Sequence, residues 1–103
     1  MPPETGKIKV TVDRDLEELI PEFLELTRKD LANLGDALAQ NELDTVRRIG
    51  HTMKGNGGGY GFDKISELGA RIEQLAKAGQ TGEVPALLQE LTSYLDRVEV
   101  VFE

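Results

Sequence analysis

The 103-residue chain has no cysteine. That excludes disulfides and thiolate metal sites, and a reducing cytoplasm is the simpler expectation. Basic charge is also scarce: 12 lysines and arginines stand against 19 acids, for a formal net charge of −7. Such a chain has little with which to release counterions, so nucleic-acid binding is not expected. No apolar run approaches the ~20 residues of a membrane span. The start, "MPPETGKIKV", lacks the apolar core of a signal peptide. Histidine occurs once, at His51. With no cysteine, only carboxylates remain to complete a metal site, so a metal-dependent enzyme is a weak reading and no metal ligand is assigned. The remaining composition, 39% hydrophobic and 30% charged, is that of an acidic, soluble single domain.

Residues 1–12 read as an N-terminal extended arm. "KIKVTV" alternates apolar and polar at Ile8, Val10 and Val12, a strand signal. No convincing partner strand is evident, so the arm is expected to lie on helices. From Asp13 the period changes. "DRDLEELI" predicts an extra helical turn capped by Asp13 or Asp15, and Pro21 suits a first helical turn. Phe23, Thr27, Leu31, Leu34 and Leu38 form one face of a helix ending near residues 40–41. Leu43, Val46, Ile49, Gly50, Met53, Gly57 and Tyr60 give a second helix. Ile65, Leu68, Ile72 and Leu75 give a third, capped by Asp63 and stopped at Gly79. In "GQTGE" Thr81 offers a cap. Val84, Leu87, Leu88, Leu91, Leu95, Val98 and Phe102 give a fourth, with Pro85 in its first turn. The terminal "VEVVFE" also admits a strand, but the preceding spacing favours continuation of the helix. The expected fold is all-α: an antiparallel four-helix bundle over residues 13–103. One bundle can bury its own apolar faces, so a monomer is expected.

The segment "RRIGHTMKGNGGGYGFD", residues 47–63, is the unusual one: His51 sits among glycines where the apolar spacing is helical. On a wheel with Val46 at zero, the core stripe falls within roughly 60° and His51 about 140° away, facing outward. Lys54, Arg47 and Gly58 flank it on one side, Gly55 and Arg48 on the other. Each interior glycine weakens a helix by about 1 kcal/mol relative to alanine. Four or five of them therefore cost a large share of the ~5–15 kcal/mol that holds a domain together. Gly50 and Gly57 face the core, where small residues allow close helix approach. Gly55 and Gly58 face solvent, where only a partner's approach to the imidazole requires them. Gly59 has no evident role, and Gly61 suits the helix end.

An exposed, uncrowded imidazole is a nucleophile that can carry a phosphoryl group on nitrogen. That group brings close to two negative charges. A cation at about 5 Å would offset them by about 1 to 3 kcal/mol per charge pair, nearer the lower figure when exposed. Lys54, at i+3, is best placed. Arg47 could supplement it, and Arg48 less so.

"HTMKGNGGGYGFDKISELGARIE", residues 51–73, resembles the signature of histidine-containing phosphotransfer (HPt) domains, of the stand-alone bacterial type. His51, Lys54, Gly55, Gly58, Gly61, Leu68, Gly69, Ile72 and Glu73 match without a gap. The resemblance implies a four-helix bundle that relays a phosphoryl group in two-component signalling. His51 would be the phosphoacceptor and Lys54 the neutralising cation. Gly55 and Gly58 would give a partner clearance, and Glu73 would orient the imidazole from the third helix. It also implies a response-regulator receiver domain or hybrid histidine kinase as partner. The Mg²⁺ that assists transfer would come from the receiver, so the chain itself would hold no cofactor. Thr52 follows His51, where kinases that phosphorylate their own dimerisation helix usually carry an acid. No glycine-rich nucleotide box follows a strand either. The chain thus reads as a relay without kinase activity. The alternative is a module that docks a receiver or kinase domain without chemistry.

Overall fold

A computed structural model describes residues 6–103; the first five positions of the expected arm lie outside the described residues. The chain runs β1 (Ile8–Val12), a 3-10 turn (Arg14–Leu19), α1 (Ile20–Ala39), α2 (Leu43–Gly57), a 3-10 turn (Gly58–Tyr60), α3 (Asp63–Lys77), a 3-10 turn (Thr81–Glu83), α4 (Val84–Arg97) and β2 (Val98–Phe102). The four helices form the expected bundle, with α1 against α2 and α4, and α3 against the same two. Leu34, Val46, Ile65, Ile72, Val84 and Leu91 are fully buried, so every helix contributes to one core. Fully burying such a side chain stabilises the fold by about 1.5–3 kcal/mol.

The ends of the chain differ from expectation. The fourth helix does not continue through "VEVVFE". It stops at Arg97, and Val98–Phe102 pairs in parallel with β1, in the register Ile8↔Val98 to Val12↔Phe102. The arm therefore has a strand partner after all. Two causes act together. Val98, Val100 and Val101 are β-branched and favour extended backbone. Ile8 and Val10 offer a matching alternation whose inner side chains pack on the core beside Val98, Val100 and Phe102. Backbone bonds from Glu103 N–H to Val12 O (3.1 Å) and from Arg14 N–H to Glu103 O (2.9 Å) close the end of the ladder.

The helix boundaries follow the sequence with local corrections. Asp13 caps the 3-10 turn, its side chain accepting from Asp15 N–H. Pro21 and Pro85 lie in the first turns of α1 and α4. Asp63 does not cap α3. Phe62 occupies the cap position because its side chain is drawn fully into the core, which leaves Asp63 inside the first turn. There its charge still complements the helix dipole. Nor does Thr81 cap α4, since it lies in the 3-10 turn before Glu83. The second helix, read through to Tyr60, tightens into a 3-10 turn at Gly58 and ends at Gly61, whose φ of +93° suits glycine. Tyr60 then stacks on Phe23 with ring centroids 4.4 Å apart, and Phe62 lies 5.5 Å from the same ring. This aromatic trio pins the α2–α3 connection to α1.

Candidate functional site

The site is built where α2 meets α3, and glycines set that contact. A Cβ on Gly69 would lie 2.7 Å from Lys54 N and 2.8 Å from Gly50 O. A Cβ on Gly50 would lie 2.9 Å from both Glu73 N and Gly69 O. The two backbones therefore touch beside His51, between Gly50 and Lys54 of α2. Gly57 repeats the pattern further along, with Ser66 N 2.7 Å from where its Cβ would be. The sequence pointed to Gly50 and Gly57 as close-approach positions; Gly69, matched only as a motif residue, is the third.

Close approach brings Glu73 under the histidine. Glu73 Oε2 lies 2.9 Å from His51 Nδ1, and Glu73 Oε1 accepts from Lys54 Nζ at 3.2 Å. The Glu73 side chain is only 5% exposed, whereas that of His51 is 65% exposed. Burial alone would raise the Glu73 pKa. The hydrogen bonds from His51 and Lys54, and the positive charge behind them, outweigh burial and hold it below the ordinary value. An ionised carboxylate has no proton to give, so the proton of this bond belongs to Nδ1. In the neutral ring Nε2 then carries the free lone pair.

His51, Lys54 and Glu73 thus meet. Arg47 turns back along α2 to Asp44, at 3.0 Å. Arg48 is exposed on α2, and its backbone carbonyl accepts from the Thr52 hydroxyl. Gly55 has open space where a Cβ would be, and Gly58 meets only Ser66 Oγ at 3.4 Å and Asp63 Oδ1 at 3.7 Å. Gly59 also borders open space, and nothing in the structure explains it.

Two residues that the sequence reading did not single out belong to the site's support. Ser66 Oγ accepts from Gly58 N–H at 2.7 Å and donates to Lys54 O at 2.8 Å, tying the glycine-rich end of α2 to α3. No local signal reveals it, because its partners lie on another helix. Lys77 Nζ lies 3.8 Å from Glu73 Oε2. A Glu followed four residues later by Lys is a legible helix pair, and that spacing could have found it. Among the described residues no cluster of three or more His, Asp or Glu side chains is arranged to hold a metal ion. Among them too, no helix is long and apolar enough to cross a membrane.

The family model of the Hpt domain matches residues 18–100, the whole bundle and the site with it. The chain belongs to the Hpt domain family. Hpt domains serve phosphotransfer in two-component signalling, and this chain is a module of that class. It is also similar to the chemotaxis protein CheA of Halobacterium salinarum, with 28% identity over 96 residues. That likeness covers 85% of this chain and 13% of CheA, so the Hpt domain here spans a small part of the relative's length. No solved structure matches it.

Proposed function

We propose that this Hpt domain carries a phosphoryl group on Nε2 of His51 and exchanges it with the aspartate of a response-regulator receiver domain. The observation that carries this reading is the hydrogen bond between Glu73 and His51 Nδ1, 2.9 Å long. It leaves Nε2 as the nucleophilic nitrogen of an exposed ring. In the forward step the Nε2 lone pair attacks phosphorus of the aspartyl phosphate. The N–P bond forms as the P–O bond to the aspartate breaks, and the carboxylate leaves. The ring keeps its proton on Nδ1, and the positive charge it gains is shared with Glu73. Lys54 supplies the cation for the phosphoryl oxygens. The Mg²⁺ that assists transfer belongs to the receiver, and no step falls to a metal held by this chain.

Gly55 and Gly58 leave room for the partner's aspartate to approach, and Arg47 and Arg48 border that approach. The donor or acceptor is a receiver domain, free or within a hybrid histidine kinase. The domain works as a cytoplasmic monomer, apart from nucleic acid and membrane, and has no kinase activity of its own.

The test is incubation with a receiver domain labelled at its phosphoaspartate. Label is expected to pass to the protein and to be acid-labile, as phosphohistidine is, and His51→Gln should reduce transfer to background. Docking without transfer of label would favour the binding-module reading. Equal labelling of His51→Gln would place the chemistry on another residue.

A further inference from the structure

Glu73 has more cationic neighbours than its resting hydrogen bonds need. Oε1 accepts from Lys54 Nζ at 3.2 Å and Oε2 bonds His51 Nδ1 at 2.9 Å. Lys77, one turn further along α3, holds its Nζ 3.8 Å from Oε2. That is an ion-pair distance, beyond a hydrogen bond. The carboxylate therefore has one lysine bonded and a second within reach. The Lys77 side chain is 59% exposed, so it is free to shorten this distance without rearranging the core.

Phosphorylation of Nε2 changes the competition for Lys54. The phosphoryl group places nearly two negative charges on the same helix face as Lys54, one turn away. The Lys54 side chain is half exposed and can turn toward them. Each step in that direction withdraws a donor from Glu73, which is 5% exposed and has little water to replace it. A carboxylate left buried without its partner is costly and takes up a proton more readily. Glu73 would then hold the Nδ1 proton less firmly, at the moment when the phosphorylated ring carries positive charge.

Resting on the reading of His51 as a phosphoryl carrier, we propose that Lys77 is a positioning residue for the phosphorylated state. It closes on Glu73 as Lys54 turns to the phosphoryl group, and so keeps Glu73 bonded to Nδ1. The two lysines exchange duties, Lys54 passing from carboxylate to phosphoryl and Lys77 moving from ion-pair distance to hydrogen bond. The groups facing Glu73 are His51 and Lys54 from α2 and Lys77 from α3. Arg47 points to Asp44 and plays no part in the exchange.

The experiment needs no partner protein. The chain is phosphorylated with phosphoramidate: Nε2 attacks phosphorus, the ring N–P bond forms, the donor N–P bond breaks and ammonia leaves. Solvent exchange of the His51 Nδ1 proton is then read by ¹⁵N NMR, before and after phosphorylation, in wild type, Lys77→Gln and Lys77→Arg. Before phosphorylation the three should agree. After it, exchange in Lys77→Gln should be about two- to fivefold faster, the range of an exposed ion pair, and Lys77→Arg should behave as wild type. Agreement of Lys77→Gln with wild type after phosphorylation would overturn the proposal. So would an equal change before and after, which would make Lys77 a fixed part of the resting structure. A chain that accepts from phosphoramidate but never from a receiver refutes the receiver reading and leaves this test intact. A chain that takes no phosphoryl group on His51 from either source overturns both.

Discussion

Glu73 on α3 reaches His51 on α2 across 22 residues of sequence, carboxylate to Nδ1 at 2.9 Å. The bond selects the tautomer and holds the ring in one orientation. Glu73→Ala should therefore remove the protected Nδ1 proton from the ¹⁵N spectrum. It should also slow phosphotransfer by about 10- to 100-fold, the scale on which a misplaced reactive group loses rate. Transfer at the wild-type rate would show that the ring needs no orientation by Glu73.

The same bond has a pH window. Burial works to raise the Glu73 pKa, but the hydrogen bonds from His51 and Lys54 prevail and lower it from the ordinary 4.5. A lowered carboxyl pKa contributes stability that is present above the unfolded value and lost as pH falls through the folded one. The site should thus stay assembled through neutral and mildly acidic pH. The ¹³C shift of the Glu73 carboxyl should titrate with a midpoint below 4.5. A midpoint above it would mean that burial dominates.

Gly69 and Gly55 should respond to alanine in opposite directions. At Gly69 the new Cβ meets Lys54 N at 2.7 Å and Gly50 O at 2.8 Å, both backbone atoms that cannot give way cheaply. Gly69→Ala should lose about 1–3 kcal/mol in urea unfolding, the usual range for overpacking. It should also weaken the His51–Glu73 bond by spreading the helices. At Gly55 the Cβ meets nothing within 4 Å. Gly55→Ala should stabilise the fold by up to about 1 kcal/mol, because alanine suits a helix better. Its cost should appear only in binding or phosphotransfer with the receiver, and more strongly for Gly55→Leu. Unchanged transfer in both variants would remove the clearance role.

The strand pair can be tested apart from the site. Val100 is half-buried opposite Val10. Val100→Asp should cost about 1–2 kcal/mol, since it exchanges apolar burial for a charge at the edge of the core. It should also open residues 6–12 to proteolysis while labelling at His51 persists. Resistance equal to wild type would show that the strand holds without this contact.

Sequence alone determined the four helices and the outward face of His51, because both depend on a local repeat of 3.6 residues. The spacing of Lys54 from His51 was equally local. It also separated the core-facing Gly50 and Gly57 from the solvent-facing Gly55, since a wheel records direction. Tertiary structure decided what no periodicity records. The β1–β2 ladder joins Ile8 to Val98 across nearly the whole chain, and each strand alone is too short to declare a partner. Whether Glu73 meets His51 depends on how closely α2 and α3 pack. That distance is set by Gly50 against Gly69, each making room for the other's backbone. Ser66 joined the site for the same reason, and Lys77 came with Glu73 from one turn along α3. Local spacing turned His51 outward, and the depth of one helix contact set which of its nitrogens meets Glu73.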